Sequence, residues 1–223
     1  MSWEESRCAT PLKRDFLRAW FQLERRFFLT GGSALGLFYL DHRGSYDLDL
    51  FTVEEVGPKE VQQLVSRVAA QIEAQVQPLR SSADFNRFRL TRAAEREIID
   101  VVVDRAPQID PVKEEIDGVL VDTLREIVAN KLTTLLSRSE PKDVVDLYFL
   151  QELGCDLVAA VPDAVAKDGG WEPAVVAMML DTLPAGELPA WMIRELSPET
   201  LARFVHDLRL RIASLSLPPG GHE

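Results

Sequence analysis

Residues 27–52 read FFLTGGSALGLFYLDHRGSYDLDLFT, and the order of residue types in this stretch decides the fold. The apolar run Phe27 to Thr30 is stopped by Gly31-Gly32, which predicts a short buried strand ending in a turn. Ser33 to Leu40 reads as a helix, and Asp47 to Val53 as a second strand. Successive side chains on a strand alternate between its faces, so Asp47 and Asp49 share one face while Leu48 and Leu50 point to the other. Two carboxylates at that spacing repel each other unless a positive group sits between them. A divalent cation is the usual answer, and hard oxygen ligands suit Mg²⁺. The Gly31-Gly32-Ser33 turn sets backbone N–H groups and a helix start where a phosphate can be held. A phosphate cradle beside paired aspartates is a pattern of nucleotide chemistry.

Working outward, Thr10-Pro11 reads as a helix start, with helical spacing to residue 26. Residues 58–77 (PKEVQQLVSRVAAQIEAQVQ) carry the pattern of one amphipathic helix beginning at Pro58. Phe85 to Thr91 and Glu97 to Asp104 read as a strand hairpin joined by the polar residues 92–96. After about residue 110 the texture changes. A short strand near Val119 to Val121 precedes helical spacing over Leu124–Ser137, Lys142–Leu153, Leu157–Lys167, Glu172–Leu180 and Pro198–Leu215. The expected organisation is an α/β half followed by a helical half, dividing near Pro111 to Asp122, with a short Pro/Gly tail at Pro218 to Gly221.

A metal held by Asp47 and Asp49 calls for a third carboxylate. Asp100 interrupts the β-branched run Ile98 to Val103 and is favoured over Asp104, which sits at the strand end where an acid is unremarkable. Arg43 has two readings: it neutralises phosphate or braces the acids, or it makes a structural salt bridge. Ser45 is placed to hydrogen-bond a phosphate oxygen, and His42 reads as a surface or hinge histidine. In the helical half Lys131 interrupts an apolar helix formed by Leu124, Ile127, Val128, Leu132 and Leu135. Asp143 and Asp146, three apart, share one helical face, and Asp146 sits amid Val144, Val145, Leu147, Tyr148 and Phe149.

The net charge of −11 excludes a general nucleic-acid coat protein, which would be basic. It leaves room for a local patch from Arg80, Arg87, Arg89, Arg92 and Arg96, against which stands the reading of an ordinary solvated face. Cys8 and Cys155 fit no metal-ligand spacing and read as a reduced pair. With no apolar run of membrane-spanning length and no signal-peptide pattern, the expectation is a cytoplasmic protein.

GGSAL followed by HRGSYDLDLF, then Lys131, then Lys142-Asp143-Val144-Val145-Asp146-Leu147-Tyr148, resembles the minimal nucleotidyltransferases of the AbiEii/AbiGii type, with the MenT toxins as relatives. The resemblance covers roughly residues 27–150, with two separated motifs in the right order. It implies an α/β (α+β) polymerase-β-like fold, a mixed sheet with flanking helices followed by a helical C-terminal half. A nucleotidyltransferase domain over 1–115 would be joined to a helical domain over 116–223 that completes the nucleotide site. Asp47, Asp49 and Asp100 would hold Mg²⁺ or Mn²⁺, and the Gly31, Gly32, Ser33 turn the triphosphate of an NTP. Arg43, Ser45, Lys131 and Asp143 are the further nucleotide contacts, with Asp47, Asp49, Lys131 and Asp146 as the catalytic set. The implied reaction moves an NMP to an acceptor hydroxyl, in RNA or tRNA, in a toxin with a cognate antitoxin. An aminoglycoside-type small-molecule transferase and a catalytically silent nucleotide-binding module are the alternatives.

Overall fold

The computed structural model describes residues 2–137, 140–184 and 187–216, so the Pro218 to Gly221 tail lies outside the described residues. The chain forms two compact units. One runs to Arg105 and resumes over Pro111–Thr123, and the other holds Ala106–Asp110 and the chain from Leu124 onward.

The first unit is built on one sheet of seven strands: β1 (Phe28–Thr30), β2 (Asp47–Thr52), β3 (Gln75–Ser81), β4 (Phe85–Arg92), β5 (Glu95–Val103), β6 (Glu114–Ile116) and β7 (Val119–Val121). Their order is β3-β4-β5-β2-β1-β7-β6. β2 runs parallel to β5 and β1 parallel to β7, while every other neighbouring pair is antiparallel. The sheet is therefore mixed, as expected. Helices α1 (Pro11–Leu23), α2 (Gly31–Ala34, continuing as a π-helical stretch over Leu35–Leu40) and α3 (Pro58–Gln71) flank it.

Local chemistry starts α1 where the sequence suggests. The Thr10 hydroxyl accepts the N–H of Lys13 at 3.1 Å, and Pro11 takes the first helical position, whose N–H has no partner within the helix. Leu12, Phe16, Leu17 and Trp20 then fall on one face, and all are fully buried. Removing each such side chain from water is worth about 1.5–3 kcal/mol. They meet a sheet face carrying Leu48 and Leu50 of β2 opposite Ile99 and Val101 of β5. Glu97 on that same face bonds to Thr10 at 2.7 Å and pairs with Lys13 at 3.4 Å, which seats α1 over it. Leu48 and Leu50 point into this core, and Asp47 and Asp49 take the opposite face.

Several boundaries differ from the sequence reading. The helix expected over 58–77 stops at Gln71, Glu73 takes a left-handed φ of 55°, and the chain returns as β3. The strand was hidden because it lies at the sheet edge, largely exposed, with Pro78 inside it and no apolar alternation to mark it. The hairpin turn is tighter than residues 92–96: β4 reaches Arg92, β5 starts at Glu95, and Ala93 supplies a φ of 52°. β6 is short and acidic and leaves no strand pattern. Because β7 pairs with β1, the sheet unit extends to Thr123 rather than closing at residue 115.

The second unit consists of α4 (Leu124–Ser137), α5 (Pro141–Glu152), α6 (Val161–Lys167), α7 (Pro173–Thr182) and α8 (Pro198–Ser214). Residues 157–160, expected at the start of a helix, precede α6. Glu126 of α4 is fully buried and accepts the backbone N–H groups of Ile109 and Asp110 at 2.8 and 2.7 Å. Lys167 of α6 donates to that carboxylate and to the Pro107 carbonyl at 3.0 Å. This buried pair clamps the 106–110 segment onto the helices. Among the described residues no helix is long and apolar enough to cross a membrane. Both Cys8 and Cys155 are free thiols.

Glu126→Ala is expected to cost about 3–5 kcal/mol, because it strands a buried ammonium and two backbone donors. Thermal unfolding should show the helical transition falling well below that of the wild type. An unchanged transition would remove the clamp from the account.

Candidate active site

Parallel pairing of β2 with β5 sets Asp49 directly opposite Asp100, with Asp47 one pleat away opposite Ile98. Paired residues in register share a sheet face, so all three carboxylates project on the side away from α1. Asp47, Asp49 and Asp100 each offer an oxygen within 4.8 Å of the others. Asp104 lies beyond the end of β5, its N–H bonded to Thr52, and is outside this group. Asp100 is the most enclosed of the three.

Such a cluster requires positive charge, and β4 supplies it. Arg87 stands in register with Asp100 and grips it through two parallel bonds, Nε to Oδ1 at 2.7 Å and Nη2 to Oδ2 at 2.5 Å. The same Nη2 lies 3.8 Å from Asp47. Its hydrogen bonds to Asp100 hold the guanidinium's proton still more firmly than usual, with the Asp47 and Asp49 charges adding to the effect. The Ser45 hydroxyl donates to Asp47 at 3.0 Å. Ser45 is itself fixed, since its carbonyl receives the buried Lys13 ammonium at 2.5 Å.

The glycine turn is packed against these acids. Gly31 has a φ of +65°, and a Cβ there would sit 2.7 Å from Asp49 Oδ2. A Cβ on Gly32 would sit 2.7 Å from Arg43 Nη2. Both glycines are therefore set by space, one of them by backbone conformation as well. Ser33 is buried; its hydroxyl donates to the Thr30 carbonyl at 3.2 Å and accepts the Asp49 N–H at 3.3 Å. That hydroxyl thus ties the turn to the aspartate strand. Arg43 is buried behind Gly32 and donates to the Gly44 carbonyl at 2.9 Å. His42, expected at the surface or a hinge, is fully buried. The reason is that the 41–44 segment folds back beneath the N-terminal residues, where Cys8 Sγ bonds the Arg43 carbonyl at 3.0 Å. Burial pushes that thiol up to about 11, so it is a packing group.

In the helical unit Lys131 of α4 lies between two acids of α5, 2.8 Å from Asp143 and 2.6 Å from Asp146. All three are buried. The spacing of three along α5 puts both acids on the face that meets α4, which explains an aspartate amid Val144, Val145 and Leu147.

The five arginines do not share one face. Arg80 pairs with Arg87 across β3–β4, Arg89 lies opposite Gln77 and Ile98, and Arg96 lies on the Asp100 face of β5. Arg92 points the other way, bonding Asp15 at 2.7 Å beside α1. The sequence reading places Arg87 only within a patch and misses its grip on Asp100. The parity of the hairpin carried that signal, but only after its two-residue turn was known. Lys13 and Glu97 were missed as supports of Ser45, although a lysine inside the apolar face of α1 was a visible mark.

The three carboxylates fit a divalent cation: they are hard oxygen donors, they converge on one point, and the missing side chain of Gly31 leaves Asp49 room. A family model described as "Nucleotidyl transferase AbiEii toxin, Type IV TA system" matches residues 15–212. The chain belongs to this family. No curated protein matches the sequence significantly. Among solved structures, a provisionally assigned nucleotidyltransferase from H. pylori is similar with a TM-score of 0.62 at 19% identity, covering 92% of each chain. JHP933 from Helicobacter pylori is similar with a TM-score of 0.62 at 20% identity, covering 92% of this chain and 90% of that one. At these identities the likeness establishes the nucleotidyltransferase fold.

Lys131→Ala leaves two buried carboxylates facing each other. It is expected to cost about 3–5 kcal/mol in stability, visible as a lower melting temperature that Lys131→Arg largely restores. A wild-type melting temperature for Lys131→Ala would show that the trio carries little of the fold.

Proposed function

We propose that this chain moves an NMP from an NTP to an acceptor hydroxyl, using Mg²⁺ or Mn²⁺ held by Asp47, Asp49 and Asp100. The observation that carries the reading is the convergence of those three carboxylates beside the Gly31-Gly32-Ser33 turn. The family description, a nucleotidyl transferase toxin of a type IV toxin–antitoxin system, supports it. When bound, the cation supplies charge stabilisation on the attacking and leaving oxygens. The chain's own residues do the positioning. Asp47 and Asp49 fix the face on which the α-phosphate is attacked, Ser45 orients Asp47, and Ser33 keeps Asp49 at the glycine turn. The turn's backbone N–H groups are assigned the triphosphate. Arg43 is assigned to bracing the turn behind Gly32. Catalysis in this scheme rests on placement and preorganised charge.

The acceptor we assign is RNA, most simply a tRNA end, in the cytoplasm, with a cognate antitoxin as the partner that restrains the activity. Arg80, Arg89 and Arg96 support this, because they extend from the acidic triad across the β3–β4–β5 face. The net charge of −11 favours the second reading, transfer to a cationic small molecule.

Asp47→Asn and Asp49→Asn are each expected to reduce transfer from labelled NTP by about 10²-fold or more, with melting temperatures at or above that of the metal-free wild type. Turnover near wild type in either variant ends the metal-site assignment. Charge reversal at Arg80 and Arg89 should cut labelling of total RNA, steeply dependent on salt, while sparing NTP affinity. Equal growth of hosts expressing wild type and Asp47→Asn, with no label in RNA from any NTP, would shift the assignment to the small-molecule acceptor.

A further inference from the structure

We propose that Arg87 is the exchangeable counter-ion of the acidic triad: it neutralises Asp100 while the site lacks its cation and must let go as the cation enters. The inference rests on the metal-site reading above and adds a residue that gates it. Both oxygens of Asp100 are taken by the Arg87 fork, at 2.7 and 2.5 Å. A cation drawing on the three carboxylates shares the Asp100 oxygens with that fork, and the two positive groups repel each other at that distance. The two partners differ in freedom. The Asp100 side chain is 5% exposed and fixed in the central part of the sheet, whereas Arg87 is 41% exposed on a strand nearer the edge. The aspartate therefore stays and the arginine leaves.

Three carboxylates within 4.8 Å of one another repel in a half-enclosed site unless a positive group stands among them. Arg87 provides it for two of them, contacting Asp100 directly and approaching Asp47 at 3.8 Å. It also has somewhere to go. Its guanidinium already lies 5.5 Å from the Phe85 ring, against which Arg80 packs at 5.3 Å, so the aromatic face offers a place for a planar cation released from Asp100. By linkage, a contact present only in the metal-free state weakens metal binding by whatever it contributes to that state.

The test is Mn²⁺ binding to the full chain without nucleotide, followed by the electron paramagnetic resonance of free Mn²⁺, together with melting curves without metal. Arg87→Ala should bind Mn²⁺ about three- to tenfold more tightly than wild type, the lower value allowing for solvent screening of a half-exposed pair. Its metal-free melting temperature should fall, and saturating Mn²⁺ should close most of the gap. Equal or weaker Mn²⁺ binding by a folded Arg87→Ala overturns the exchange. Should that variant not fold, the wild type still decides: phenylglyoxal should label Arg87 slowly without metal and faster with Mn²⁺, as read by peptide mass. An unchanged labelling rate overturns the proposal. Failure of the wild type to bind Mn²⁺ at all is a different result, and sinks the metal-site reading on which the exchange rests.

Discussion

The register of one parallel strand pair governs the acidic face. β2 and β5 run parallel with Asp49 opposite Asp100, and this pairing forces like charges to within a few ångströms in the middle of a sheet. A repulsion of that kind is stable only where the surroundings answer it. The answers are visible on every side. Arg87 reaches in from β4, Ser45 donates to Asp47, and the Gly31 turn yields the space that a side chain would take from Asp49. The opposite face of the same strands is ordinary: Leu48, Leu50, Ile99 and Val101 bury apolar surface beneath α1. The core side holds the strands in register, and the register imposes the electrostatic conflict on the other side.

The same logic recurs in how buried cations are used. Lys13, Lys131 and Lys167 each sit on a helix, buried, and each meets a carboxylate. Lys13 pairs with Glu97 and braces the Ser45 carbonyl, so it positions a loop beside the acids. Lys167 and Glu126 secure the 106–110 segment. Lys131 lies between the two aspartates of α5 and pairs with both. Pairs of this kind are weak sources of net stability compared with apolar packing, and breaking one partner is costly. What they fix is local geometry.

Some of this was legible in the chain itself. The alternation of Asp47, Leu48, Asp49 and Leu50 fixes which side chains share a face, because strand periodicity is a local property. Asp100 stands out for the same reason, as an acid inside a β-branched run, and the structure brings it to the other two. The spacing of Asp143 and Asp146 marks a single helical face, and Lys131 marks a cation in an apolar helix. Pro11, Pro58, Pro141 and Pro198 each open a helix where the missing N–H costs nothing.

Other features belong to the tertiary structure alone. β3 carries no periodic signal, since an exposed edge strand is held by hydrogen bonds to β4 and not by a buried face. The separation of Arg92 from Arg87 and Arg89 depends on parity through a two-residue turn. His42 becomes buried through its neighbours' packing. The grip of Arg87 on Asp100 arises from the pairing of β4 with β5, and the opposition of Asp100 to Asp49 from the pairing of β5 with β2. The sequence by itself determined the residues that would carry charge and the face each would take, because periodicity needs only neighbours along the chain. Which charges meet was decided by strand order and register, which are set by burial across the whole sheet.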